Sequence, residues 1–201
     1  MGNVRVTLLG GFAAAVDDVP VPGTAWRLKK ARELVKLLAL APGHRLHREQ
    51  AMDVLWRDPE PAAAANNLHQ AVYVARRALD AGAIETGEEA LQLIADVDVD
   101  RLELAAADAR RARTPAAYRA AASLYGGELL PENRYDDWAV ERRDELAELA
   151  SELAEELATL GSAEGDRLTP LPADASSFIG RGRELAELKS LRRGTRLRTL
   201  A

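Results

Sequence analysis

Cysteine is absent from this 201-residue sequence. Disulfide bridges and thiolate metal ligands are therefore excluded. No apolar run reaches the roughly 18 residues that a membrane-spanning helix requires. The N-terminus also lacks the basic segment and apolar core of a secretory signal. We therefore expect a cytoplasmic protein that does not contact a membrane.

The sequence also lacks the motifs of common enzyme classes. It contains no GxSxG, no GxGxxG before a helix and no phosphate-binding GKS or GKT loop. The three histidines, His44, His47 and His69, have no histidine or carboxylate partner at the spacing that metal ligands show. We therefore predict a protein that is not an enzyme and that uses no metal and no other cofactor.

Charge is unevenly distributed along the chain, whose formal net charge is −5. Residues 24–82 carry ten basic and six acidic side chains, a net charge of +4. Residues 101–160 carry eight basic and thirteen acidic side chains, a net charge of −5. A basic patch on one module is what contact with nucleic-acid phosphates requires, although a solvated surface without any ligand can show the same imbalance.

Hydrophobic periodicity predicts short strands, three helices and a hairpin in the first half of the chain. Two short helices joined by a tight turn, the second of them rich in hydrogen-bond donors, resemble a helix-turn-helix, and the hairpin after them would be its wing. A small three-helix domain without a nucleic-acid ligand would show the same pattern. The predicted ranges are strands in 4–22, helices over 26–43, 47–56 and 61–80, and a hairpin over 83–100 with its turn at Gly87.

The third helix has the composition of a DNA-recognition helix. Its stretch NNLHQAVYVARRALD (66–80) has an apolar stripe at Leu68, Val72, Ala75 and Leu79. No acidic residue occurs between Asn66 and Ala78. Amide and guanidinium side chains can pair with base edges in the major groove. The predicted base contacts are Asn66, Asn67, His69, Gln70, Tyr73 and Arg77.

Basic residues around the three helices are candidates for phosphate contacts. Those at the starts of the first two helices would hold the DNA backbone, helped by the positive helix N-terminus. For each of them, a solvated surface charge is the alternative. The predicted phosphate contacts are Arg76, Arg48, Arg45, Lys29, Lys30 and Arg32. Glu85, Glu88 and Glu89 make the hairpin acidic, where a minor-groove wing would favour Arg or Lys.

The second half of the chain is predicted to be helical up to residue 160. Its last helix, 135–160, has a stripe of five leucines whose near-heptad spacing would suit a coiled-coil dimer or packing within the chain. Residues 161–177 have the composition of a linker. Residues 178–201 begin like a further domain.

Two stretches resemble the SARP family of transcriptional activators. WRLKKARELVKLLALAPGHRLHREQAMDVLW with PAAAANNLHQAVYVARRAL resembles the OmpR-type winged helix of that family, and LYGGELLPENRYDDWAVERRDEL resembles its bacterial transcriptional activation domain. The resemblance implies a mainly α fold with small β-sheets. It places a winged helix at 1–99 and a shortened TPR-like helical domain at 100–160. It also implies binding to direct repeats in promoter double-stranded DNA, dimerisation and recruitment of RNA polymerase.

A third stretch, SSFIGRGRELAEL, resembles the entry to the STAND-type ATPase domain of larger regulators. The resemblance makes residues 178–201 the start of such a domain and implies a GxxxxGK[ST] loop after Ala201. Two alternatives to a DNA-binding activator therefore stay open. One is a protein-interaction scaffold that uses the helical domain, and the other is the regulatory part of a nucleotide-switched ATPase.

Overall fold

The computed structural model describes residues 2–56 and 60–167, except for the side chains of Pro61 and residues 162–167. Residues 1–165 belong to one compact unit. No helix in the described part of the chain is long and apolar enough to cross a membrane. The predicted ATPase stub at 178–201 and the linker from residue 168 onward lie outside the described residues.

The described chain contains seven strands and six α-helices. The strands are β1 (Val4–Thr7), β2 (Ala13–Val16), β3 (Val19–Pro20), β4 (Arg45–His47), β5 (Ile84–Thr86), β6 (Ala90–Leu93) and β7 (Asp96–Val97). The helices are α1 (Lys29–Leu40), α2 (Arg48–Leu55), α3 (Pro61–Ala78), α4 (Asp98–Ala112), α5 (Pro115–Ala122) and α6 (Asp137–Arg167).

The first sheet has the order β3-β2-β1-β7. Strand β1 pairs antiparallel with β2 and parallel with β7. Its alternating Val4 and Val6 are buried, as the period-2 pattern predicts. Beyond β1, Leu9 forms an antiparallel bridge with Leu129. The sheet therefore connects the start of the chain with the segment that precedes α6.

Helices α1 to α3 pack on one another, and the second sheet has the order β4-β6-β5. Strands β5 and β6 form the predicted hairpin, in which Gly87 N donates to the Ala90 carbonyl at 2.8 Å. The predicted fold class, a winged helix followed by a helical module, is confirmed. The limits of α1, α2 and α3 differ by up to three residues from the prediction, because helix ends depend on capping as well as on periodicity.

Helices α4 to α6 form the helical module. The two-residue connection Arg113–Thr114 folds α5 back onto α4, and Arg142 of α6 pairs with Glu103 of α4 at 2.5 Å. Helix α6 continues through Arg167, so residues 161–167, the start of the predicted linker, are helical. Gly161 and Gly165 suggested a linker, but each glycine costs a helix only about 1 kcal/mol relative to alanine. The alanine, glutamate and arginine beside them favour helix.

The end of β1 is joined to the helical module by backbone and carboxylate contacts. Asp98, the first residue of α4, accepts hydrogen bonds from Leu8 N and Leu9 N at 2.9 Å each. Burial raises the pKa of Asp98, while these backbone donors act to lower it. Gly10 has φ +81°, and a Cβ there would lie 2.8 Å from the Gly126 carbonyl oxygen. Only glycine fits this approach without strain.

A buried polar network joins α1 to the segment before α6. Lys36 is 1% exposed, and its Nζ donates to Asn133 Oδ1 at 2.6 Å and to Glu33 Oε1 at 3.2 Å. Asn133 Nδ2 donates to the other Glu33 oxygen at 2.8 Å and to Asp136 at 2.6 Å. Glu132 Oε1 lies 3.0 Å from Lys36 Nζ. Two carboxylates and one amide oxygen therefore contact one buried ammonium group.

We predict that Gly10→Ala lowers the free energy of unfolding by about 1–3 kcal/mol, because alanine at positive φ is strained and its Cβ meets the Gly126 carbonyl. Gly23→Ala is the matched control, since a Cβ there has nothing within 4 Å. Urea denaturation of both variants measures the difference. Equal stability of the two variants would contradict the close approach.

We predict that Lys36→Met lowers the free energy of unfolding by about 3–5 kcal/mol, because it leaves buried Glu33 without its counter-charge. Lys29→Met, on the exposed start of the same helix, should change the stability by no more than about 0.5 kcal/mol. The same denaturation experiment compares them. A loss below about 1 kcal/mol for Lys36→Met would show that the network contributes little to the join.

Candidate nucleic-acid interface

One face of α3 is polar, free of acid and open to solvent. Asn66, Gln70, Tyr73 and Arg77 are all exposed, and His69 is exposed beside them. Asn67, the sixth predicted base contact, is half-buried. The opposite face is buried: Leu68 and Ala75 have no exposed surface. The structure thus brings five of the six predicted base contacts onto one accessible surface, which we call the α3 polar face (Asn66, His69, Gln70, Tyr73 and Arg77).

Contacts and residue choice within α3 favour this exposed polar face. Pro61 stands at its first position, where a missing N–H costs nothing. Arg77 Nη1 donates to Tyr73 Oη at 3.4 Å, and the guanidinium lies 5.9 Å from the Tyr73 ring centroid. Within the described residues, neither side chain makes a further hydrogen bond or ion pair. Neither contact buries the donors of Arg77, so its guanidinium remains available to a ligand.

Arg76 contacts the hairpin instead of pointing into solvent. Its Nε and Nη2 donate to the Ile84 carbonyl at 2.9 and 2.6 Å, and Nη2 also donates to Thr86 Oγ1 at 3.0 Å. The prediction that Arg76 contacts phosphate is therefore not supported, because these atoms are used inside the domain. Arg76 instead holds β5 against α3.

Arg48 also lies beside the hairpin. This half-buried residue lines a small cavity with His47, Met52 and three carboxylates, those of Glu49, Glu88 and Glu89. Its backbone N–H donates to the Glu89 carbonyl at 2.8 Å. The neighbouring carboxylates would repel a phosphate, which weakens the predicted phosphate contact of Arg48. Arg45 is exposed on β4, an edge strand of the second sheet.

The other three predicted phosphate contacts lie together at another place. Lys29, Lys30 and Arg32 line a cavity of about 590 Å³ between α1, the end of α2 and the start of α6. None of the described residues that line it belongs to α3. In the same cavity, burial acts to raise the pKa of Glu132, but hydrogen bonds from the backbone and from Lys36 keep it below its usual value.

Sequence reasoning missed the polar network behind this cavity. A weak signal was present, because Lys36 stands inside the apolar run of α1, between Val35 and Leu37. A buried lysine needs a partner, but the sequence does not say which of the many acids and amides supplies it. Asn133 lies 97 positions away.

The sequence matches no protein-family model and no curated protein sequence. Among solved structures, the fold is similar to that of Mycobacterium tuberculosis EmbR, determined in complex with a low-affinity phosphopeptide. The TM-score is 0.67 at 18% sequence identity, over 95% of this chain and 50% of the EmbR chain. This chain therefore spans half the length of EmbR, and the likeness shows a shared winged-helix and helical architecture.

We predict that Arg76→Gln loosens the hairpin and lowers the free energy of unfolding by about 1–3 kcal/mol, because it leaves the Ile84 carbonyl without its charged donor. Arg77→Gln, one position further, should change the stability by less than about 0.5 kcal/mol. Hydrogen exchange of the β5 and β6 amides measures the local effect. Unchanged exchange in Arg76→Gln would contradict its role in holding the hairpin.

Proposed function

We propose that the chain is a sequence-specific, DNA-binding transcription regulator, and an activator, that inserts α3 into the major groove. The observation that carries the proposal is the α3 polar face, which is exposed and contains no carboxylate over 18 residues of helix. A helix of that diameter fits the groove. The EmbR likeness supports the fold that would present the helix.

The side chains of the α3 polar face have complementary chemistry for base edges. Arg77 would pair with a guanine through two donors, and Gln70 or Asn66 would pair with an adenine through a donor and an acceptor. His69 and Tyr73 flank them. Asn67 remains a proposed contact at the helix edge, where it is half-buried.

Of the predicted phosphate contacts, we retain Arg45 in this proposal. It is exposed, and its strand lies directly before α2, the first helix of the helix-turn-helix pair. Phosphate contacts set the position of the recognition helix on the duplex without reading its sequence. The acidic hairpin would stay off the backbone, because Glu85, Glu88 and Glu89 are all exposed.

The helical module would contact protein in this proposal. Residues 101–160 carry a net charge of −5, which disfavours approach to DNA and suits a protein partner such as RNA polymerase. We further propose that the protein works in the cytoplasm and binds promoter direct repeats as a homodimer.

Selection of binding sites from a random duplex library tests DNA binding directly. A regulator of this kind should enrich a defined sequence, and it should bind random duplex and heparin at low salt. If the protein neither binds heparin and random duplex nor enriches a DNA sequence, the interaction-scaffold alternative would be favoured instead.

We predict that Arg77→Ala and Gln70→Ala each lose about 1–3 kcal/mol of discrimination at one base pair of the selected site. Arg119→Ala, an exposed arginine on α5, is the control and should leave discrimination unchanged. Mobility-shift titrations on selected and random duplexes, at several salt concentrations, separate base contacts from phosphate contacts. Equal losses on both duplexes would refute the base-contact role of these residues.

A further inference from the structure

The cavity lined by Lys29, Lys30 and Arg32 has the size of a small-molecule site. Its volume is about 590 Å³, within the roughly 300–1,000 Å³ that is usual for ligand pockets. It lies where the winged helix meets the helical module, between α1 and the segment that leads into α6. We call it the junction cavity (its basic edge Lys29, Lys30 and Arg32; its aromatic edge Tyr135 and Trp138).

The three side chains of the basic edge are not paired with the carboxylates that line the same cavity. Within the described residues, the side chains of Lys29, Lys30 and Arg32 make no hydrogen bond and no ion pair. Arg32 Nε is buried without a hydrogen-bond partner. A buried donor without an acceptor is unfavourable, and an anionic group placed here would supply acceptors beside it.

The acidic residues that also line the cavity are already engaged. Glu33 and Glu132 pair with Lys36 Nζ at 3.2 and 3.0 Å, and Asp136 accepts from Asn133 Nδ2 at 2.6 Å. Asp137 likewise makes an interaction of its own. The described lining carries four basic and four acidic side chains and therefore no net formal charge. Its acidic groups are already engaged, whereas the side chains of the basic edge are not.

The aromatic edge offers a stacking surface on the same cavity. Tyr135 is 94% exposed, although a large aromatic side chain normally buries its ring. Trp138 is half-buried beside it, at the first turn of α6. Aromatic faces of this kind stack with the planar rings of nucleobases.

We propose that the junction cavity binds a phosphate-bearing small molecule with a planar ring, of the size of a mononucleotide. The phosphate lies against Lys29, Lys30 and Arg32, and the ring lies against Trp138 and Tyr135. This inference goes beyond DNA binding and does not depend on it. A ligand held there touches α1 and the segment before α6 together, so it would act on the join between the two modules.

Titration of the whole 201-residue chain with AMP, GMP, CMP and UMP tests the proposal. At least one mononucleotide should bind with micromolar affinity and more tightly than its nucleoside or inorganic phosphate alone. Binding should shift the indole N–H resonance of Trp138, identified by its loss in Trp138→Phe, and leave that of buried Trp26 in place. No binding by any of the four nucleotides up to about 1 mM would overturn the proposal.

A matched pair of double variants locates the site. K29Q/K30Q should weaken nucleotide binding by about tenfold or more, whereas R113N/R119Q, which removes two exposed charges from the helical module, should not. Base discrimination on the selected DNA should survive K29Q/K30Q, and nucleotide binding should survive Gln70→Ala. If K29Q/K30Q instead weakens binding to all duplexes and leaves nucleotide affinity unchanged, these lysines contact DNA phosphates and the proposal fails.

Discussion

The burial of the Lys36 ammonium group is the constraint on which the arrangement of the two modules depends. An ammonium that is 1% exposed must be paired, because an isolated buried charge costs several kcal/mol. One partner, Glu33, comes from its own helix, whereas Asn133 and Glu132 come from the segment that leads into α6. The winged helix therefore cannot separate from that segment unless the ammonium group becomes exposed or loses its partners.

The first sheet adds a second connection of a different kind. The Leu9–Leu129 bridge and the carboxylate of Asp98 fix the end of β1 to both sides of the helical module. Backbone hydrogen bonds flank the bridge, and at Asp98 backbone N–H groups donate to a carboxylate. The narrow range of donor–acceptor distances in such bonds fixes the separation of the two segments. With the back of α3 buried on α1, the same compact unit presents the α3 polar face outward.

Local patterns predicted the parts of this structure that depend on neighbours in sequence. The two faces of α3 follow from residue spacing, and the β5–β6 hairpin follows from Gly87 between alternating residues. The contacts between segments that are far apart in sequence could not be predicted from local patterns. Arg76 shows why: at its helix position the side chain can reach either solvent or the hairpin, and only the fold decides that it reaches the Ile84 carbonyl.

The distribution of charge limits which surface could approach DNA. In the helical module, Arg110 and Arg142 pair with Glu152, Glu103 and Glu145, and an acidic surplus remains. Phosphates would be repelled by that surplus and by the exposed glutamates of the hairpin. The α3 polar face carries no carboxylate to oppose approach. The winged helix would thus recognise DNA, and its position relative to the helical module is fixed by the buried ammonium group. A molecule bound beside Lys36 would therefore change both the position of the winged helix and its recognition of DNA.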